Sequence, residues 1–272
     1  MFSRYGLALA TLLAVGPGMA PAQAALTAGA SKAAIDLPAS LLPLDDFTTL
    51  LDPLNVRVLV LADGGSRAAI AVLDQTSLSA NDITAMKDAV AKATGTSAGN
   101  VLIVASHTFS APHMFIFGKG EEGERTKVYV ANIMQALTTA AQQAAHNAAP
   151  ATLTFGTASS AVNINRNVEM ADGWWLGANE AGPSDKTLSL LRIDGADHRP
   201  IATLVNYGVQ SSIMDHTGGE GATGKAVSAD LAGATTQHIE EHLGGISLFM
   251  TGAAGDQVPA YTALHNVYDA AG

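Results

Sequence analysis

Asn100-Val-Leu-Ile-Val-Ala-Ser-His-Thr-Phe-Ser-Ala-Pro112 is the stretch whose reading decides the fold. The run Val101 to Ala105 carries no charge and reads as a strand buried on both faces, central to a sheet. It breaks off into Ser106, His107, Thr108 and Ser110 and stops at Pro112. In an open α/β sheet, ligands bind beyond the carboxyl ends of the strands, so His107 at such a tip faces the crevice. A neutral imidazole there is a metal ligand or a proton carrier; the alternative is a histidine satisfied by hydrogen bonds at a strand end.

Upstream, Lys32 to Pro38 reads as a short edge strand stopped by proline. Val56 to Ala62 and Arg67 to Leu73 are β-branched-rich runs joined by Asp63-Gly64-Gly65, which predicts a hairpin. Asn81 is positioned to cap a helix reaching Thr94, with Ile83, Met86 and Val90 on one face, and Gly95 and Gly99 lead from it into the strand at Val101. Downstream, Met114 to Phe117 sit in an irregular passage, where they either line a pocket or plug the core. A long helix is predicted from Glu124 to Asn147, stopped by Pro150, with Val128, Ile133, Ala136, Leu137 and Ala140 facing inward.

Strands are then expected at Ala151 to Gly156, Thr187 to Ile193 and Ile201 to Tyr207, the last two joined through Asp194-Gly195-Ala196-Asp197. The polar segment from Asn163 to Trp175 lies between the first two. A helix starting at Ser228-Ala229-Asp230 runs to Leu243, and Ile246 to Met250 forms a last apolar strand. Three apolar strands therefore end in polar, glycine-containing clusters: Ser106-His107, Asn206 to Ser212 and Gly252 to Asp256. That is a one-sided site layout. The fold class is α/β, with mixed β-sheets and helical outer layers, and neither a repeat nor a linker divides it.

Composition bounds the function. Arg4 precedes a Leu/Ala/Val run, and Ala22-Gln23-Ala24 fits a signal-peptidase site, so residues 1–24 are expected to be a cleaved leader and the domain to span residues 25–272. The mature chain is then periplasmic or secreted, with no integral membrane segment after the leader. It has no cysteine, so its stability comes from packing rather than disulfides. The formal charge of −10 argues against nucleic acid and anionic membranes as partners. The sequence specifies no oligomeric state.

The ordered motifs resemble the N-terminal catalytic domain of the neutral/alkaline non-lysosomal ceramidase family. They run from Ala28-Gly-Ala-Ser-Lys32-Ala-Ala-Ile-Asp36 through Asp52-Pro53, Ala105-Ser-His107-Thr-Phe-Ser-Ala-Pro112, Asn165-Arg166 and Ala202-Thr-Leu-Val-Asn-Tyr207. Ser228-Ala-Asp230 and Gly252-Ala-Ala-Gly-Asp256 complete the set. The resemblance implies a zinc-dependent amidase acting on N-acyl sphingosine, a lipid-like amide. The first histidine of the family's Thr-His-Thr-His-Ser turn matches His107, and the second is Phe109 here. The zinc histidine of the Asn-Tyr-x-x-His-Pro-Thr segment falls at Gln210, and no serine nucleophile follows Gly255-Asp256, where Val258 stands. The family's later Glu and Tyr ligands have no counterpart before Gly272, which leaves open a truncated C-terminus.

A catalytic zinc needs about three protein ligands and a water. His113, six residues after His107, and His216, six after Gln210, are candidates for a rebuilt set with His107; solvated loop histidines are the alternative. Without a serine, hydrolysis must use metal-bound water. Asp256 is the candidate base or orienting carboxylate, and Arg166 and Asn165 are candidate binders of a carbonyl or carboxylate. Ser106, Ser110, Asn206 and Gln210 are candidates to contact the substrate or hold those groups. His238-Ile-Glu-Glu-His242 matches an H-x-x-E-H metallopeptidase pattern, but Ile239 and Leu243 place the histidines on a solvent-facing flank. Gly218 to Gly224 lacks a following Lys-Ser/Thr, which excludes a phosphate loop. The leading expectation is an exported, metal-assisted hydrolase of an amide or related acyl bond, with zinc as cofactor. The competing one is an inactive binding scaffold of the same fold.

Overall fold

Residues 26–115, 119–215 and 224–263 are described by a computed structural model. In chain order the strands are β1 (Thr27–Ala34), β2 (Phe47–Leu50), β3 (Asn55–Asp63), β4 (Ser66–Leu73) and β5 (Val101–Ala105). They continue as β6 (Ala149–Ser159), β7 (Asn163–Met170), β8 (Gly173–Asn179), β9 (Thr187–Gly195) and β10 (Pro200–Tyr207), then β11 (Lys225–Val227), β12 (Ile246–Thr251) and β13 (Gln257–Pro259). The helices are α1 (Ala80–Thr94), α2 (Glu121–His146) and α3 (Asp230–Leu243). None of the described helices is long and apolar enough to cross a bilayer.

Eight strands form one mixed sheet in the order β12-β10-β9-β6-β1-β3-β4-β5. The alternation of side chains along each strand sorts them into layers. Val56, Val58 and Val60 of β3 and Ala69, Ala71 and Leu73 of β4 pack under Met86 and Val90 of α1 and Ile133, Leu137 and Ala140 of α2. Their opposite faces, Leu59 and Val72, meet Ile193, Leu204 and Leu248 from the other half of the sheet. That half turns Val205, Tyr207 and Phe249 outward against Ala232 of α3. The sheet thus folds onto itself, giving a helix–sheet–sheet–helix sandwich with mixed strands and helical outer layers.

Several local readings change, each for a physical reason. β5 is an edge strand, paired in parallel with β4 alone, and its Leu102 is 47% exposed. The uncharged run reflects packing of alternate residues against α1 and the inner core, not burial on both faces. β1, expected at an edge, lies between β3 and β6. The cap of α1 is Ser79, whose hydroxyl accepts from the Asp82 amide while the Asp82 carboxylate accepts from the Ser79 amide. This reciprocal pair satisfies two helix-end donors and displaces Asn81 from the role. On α2, Ile133, Ala136, Leu137 and Ala140 are buried as expected, but Val128 is exposed and Tyr129 takes the inward position. Pro150 lies past the end of α2 at His146 and already belongs to β6, which begins at Ala149. β1 and α2 approach closely at Gly29, where a Cβ would stand 2.2 Å from the Ala144 carbonyl oxygen.

The polar segment from Asn163 to Trp175 is mostly strand. β7 and β8 form a hairpin in which Met170 pairs with Gly173, and β13 pairs with the base of β7 at Asn163 to Asn165. Asp172-Gly173 is the turn signal that marks it.

Candidate functional site

The three polar strand ends come together. Thr108 bridges Ser211, and the Phe109 amide donates to the Ser211 carbonyl at 3.0 Å. The Thr251 hydroxyl donates to the Ser106 carbonyl at 2.9 Å, tying the end of β12 to the end of β5. The Gln210 amide donates to the Gln257 carbonyl at 3.0 Å and the Arg166 amide to the Asp256 carbonyl at 2.8 Å, which adds the β7 hairpin to the cluster. Folding of the sheet onto itself makes this possible, because it brings the two edge strands β5 and β12 to one place.

His107 sits at the end of β5 with φ +61°, a strained conformation for a residue with a Cβ. Its Nδ1 lies 2.6 Å from the Thr76 carbonyl oxygen. A carbonyl only accepts, so Nδ1 carries the proton and Nε2 presents its lone pair. The Phe109 ring stands edge-on to the imidazole, with centroids 4.9 Å apart. Gln210 is 3% exposed and its amide is committed: Nε2 donates to the Ala254 carbonyl at 2.8 Å and Oε1 accepts from Arg166 Nη1 at 3.3 Å. Arg166 Nε is buried and finds no hydrogen-bond partner among the described residues.

The remaining candidates are distributed as follows. Asn165 donates to Asp256 Oδ2 at 2.8 Å and to the Pro183 carbonyl at 2.9 Å, and its oxygen accepts from the Asn167 amide. Asp256 also accepts from Gln257 at 3.0 Å. This pair locks hairpin to loop, which gives Asp256 orienting partners. Ser106 and Ser110 are buried with hydroxyls that find no partner among the described residues. Asn206 is exposed and donates to the Met250 carbonyl within the β10–β12 pair, outside the cluster. His113 is engaged by Asp45, which accepts from its ring at 2.6 Å and from its amide at 2.9 Å. His216 lies outside the described residues.

A pocket of about 450 Å³ opens on the cluster, lined by Phe109, Arg166, Leu176, Gln210, Asp215 and Val258 among others. The three positions at which the chain departs from the ceramidase motifs, Phe109, Gln210 and Val258, thus line a single cavity. Sequence reasoning missed three contributors. Thr76 acts through a backbone carbonyl, for which no side chain gives a signal. Asp215 is inconspicuous in a glycine-rich segment, and Leu176 required recognition of the Asp172-Gly173 turn.

A larger cleft, about 780 Å³, lies beside Asp52, Arg57, Asp230 and Glu240. Its carboxylates are consumed structurally. Asp52 accepts from the Ser228 hydroxyl and the Ala229 amide, joining two of the ceramidase-like motifs. Asp230 accepts from the Ile213 and Met214 amides at 3.0 and 2.8 Å, and burial pushes its carboxyl above the usual range against the pull of those bonds. Glu240 pairs with Lys32 and Arg57. On α3, His238 and His242 are exposed, and His242 Nδ1 is spent on the His238 carbonyl at 2.8 Å.

These features define a mixed α/β sandwich whose cavity lies where strand ends meet. Among solved structures the chain is similar to neutral ceramidase from Pseudomonas aeruginosa, with a TM-score of 0.65 at 18% identity, covering 87% of this chain and 40% of that one. It is also similar to a ceramidase complexed with C2, with a TM-score of 0.64 at 19% identity, covering 87% of this chain and 39% of that one. The fold is that of the neutral ceramidase domain, and the chain spans about two fifths of the length of those ceramidases. No family model and no curated protein sequence matches it.

A ceramidase fold raises the question of zinc. Among the described residues, no group of three or more His, Cys, Asp or Glu side chains is placed to hold a metal ion. Of the family's two zinc histidines the first matches His107 and the second is replaced by Gln210, whose amide is bound on both sides; the substitute candidate His113 is occupied by Asp45. The described donors do not fit a catalytic zinc, which needs about three converging ligands.

Proposed function

We propose that the protein is a ceramidase-fold binding module that takes a small or lipid-like acyl amide into the Phe109–Val258 pocket without cleaving it. The observation that supports this reading is Arg166, whose guanidinium lines the cavity and whose Nε finds no acceptor among the described residues. An unsatisfied charged donor beside a cavity is matched by a ligand carbonyl or carboxylate, and such bonds contribute about 1.5–3 kcal/mol. Phe109, Leu176 and Val258 supply apolar walls for an acyl chain, and Asp215 lines the same cavity. Three groups that the family resemblance assigns to hydrolysis are here an aromatic ring, a committed amide and a valine. Titration with short-chain N-acyl amino alcohols and N-acyl amino acids, read by calorimetry, tests it. Arg166→Ala is expected to weaken binding about tenfold or more, and recovery of the ligand intact after incubation is expected by mass spectrometry. Cleavage of the amide, or affinity unaffected by Arg166→Ala, would overturn the reading.

A second reading is the metal-assisted hydrolase, and the feature favouring it is His107, whose Thr76 contact leaves Nε2 available. Zinc titration of the full chain distinguishes the two: uptake of about one zinc, abolished in His107→Ala, supports hydrolysis, and no uptake removes it. Export is also part of the proposal, supported by Arg4, the apolar run and Ala22-Gln23-Ala24. N-terminal sequencing of the cellular protein should begin near Ala25, and an intact Met1 would contradict export.

A further inference from the structure

The β7–β8 hairpin ends in three consecutive exposed apolar residues. Trp174, Trp175 and Leu176 are 68%, 53% and 56% exposed. β13 supports only Asn163 to Asn165 of β7, so the outer part of the hairpin is a two-stranded ribbon. Alternation along β8 sends Trp174 and Trp175 to opposite faces of that ribbon, which prevents a single packing surface from covering both. Trp174 stands directly opposite Glu169, which is exposed, and Trp175 Nε1 donates to Asp172 Oδ1 at 3.0 Å. Both faces therefore combine an indole with a nearby carboxylate.

Indole rings pair an apolar body with a polar N–H and concentrate where hydrocarbon meets water. Their faces also attract quaternary ammonium groups, and an adjacent carboxylate completes the charge match. A choline-type headgroup carries that ammonium; an anionic headgroup would meet Glu169, Asp172 and a chain of formal charge −10. The ribbon is continuous with the cavity, since Leu176, Gly177 and Arg166 line it. We infer that the Trp174–Trp175 tip docks on a zwitterionic, phosphatidylcholine-type lipid surface and sets the cavity beside it. The inference extends the acyl-amide reading, but its test uses no acyl amide, so the two can fail separately.

The chain contains only two tryptophans, both in this tip, so its indole emission reports the tip alone. Phosphatidylcholine vesicles added to the full chain should shift that emission to the blue, and brominated acyl chains should quench it. Co-sedimentation with the vesicles should fall about tenfold or more in the Trp174→Ala/Trp175→Ala double variant. Its circular dichroism should be unchanged, because neither ring is buried. Phosphatidylglycerol vesicles should bind more weakly, and soluble phosphocholine alone should not shift the emission. Absence of vesicle binding would overturn the inference, as would sedimentation with unshifted emission or stronger binding to phosphatidylglycerol. A blue shift produced by raising protein concentration without vesicles would assign the tip to a second copy and overturn it as well.

Discussion

Gln210→Ala probes the centre of the strand-end cluster. The side chain is buried, and its amide bridges the Ala254 carbonyl of the loop after β12 to Arg166 of β7. Removing it takes one of two donors from the Ala254 carbonyl, which keeps the Gln257 amide at 3.1 Å, and one acceptor from half-buried Arg166, at about 1 kcal/mol each, and opens a small cavity at about 1 kcal/mol more. Together these come to about 3 kcal/mol. For a chain of this size each kcal/mol moves Tm by about 2–4 °C, so the variant should melt about 6–12 °C lower. Thermal unfolding by circular dichroism measures it, with Gln237→Ala as the control. Gln237 is exposed on α3 and donates to Glu241 on the same helix, so its loss should shift Tm by about 2 °C or less. If Gln210→Ala melted within 2 °C of the parent, the bridge between loop and hairpin would not exist, and the site geometry argued from it would fall.

Three further outcomes follow from the packing and the charges. Gly29→Ala puts a Cβ 2.2 Å from the Ala144 carbonyl and 2.7 Å from the Ala148 nitrogen, so the end of α2 must lift from β1; about 3 kcal/mol of stability should be lost, and denaturant unfolding showing less than 1 kcal/mol would refute the close contact. Ser79→Ala removes the α1 cap and should cost about 1 kcal/mol, whereas Asn81→Ala should cost little; equal losses would return the cap to Asn81. The Asp230 carboxyl is raised chiefly by burial, so its native state holds the proton more tightly than the unfolded chain. Its contribution is fully present below the unfolded value near 3.9 and is lost as pH rises through the raised folded value. Between pH 7 and pH 4 the stability gap between the parent and Asp230→Asn should therefore move in favour of the parent, and a gap independent of pH would count against the shift.

The sequence made the layered α/β fold legible because its strands alternate and its helices carry a 3.6-residue stripe; hairpin β3–β4 and helices α1 to α3 follow directly. What it did not reveal depends on long-range pairing. Nothing in Val101 to Ala105 distinguishes an edge strand from a central one, because the burial of Val101 and Ile103 comes from α1 and the core beneath it, which cover one face only. The β7–β8 hairpin was hidden by its polar residues, Asn163 and Asn165, which are buried on backbone carbonyls rather than solvated. At the site, the convergence of three strand ends was visible as a repeated pattern of polar tips. The commitments of individual side chains were not: Asp45 claims His113, Asn165 claims Asp256, and Ala254 claims Gln210, each from a distant part of the chain.

The most direct test of the account is calorimetric titration of an N-acyl amino alcohol into the full chain, once in the presence of chelator and once with added zinc. The account predicts binding to chelated protein, the same Kd with zinc, loss of affinity in Arg166→Ala and an intact amide throughout. Binding or cleavage that appears only when zinc is present would contradict it and restore the metal-assisted hydrolase.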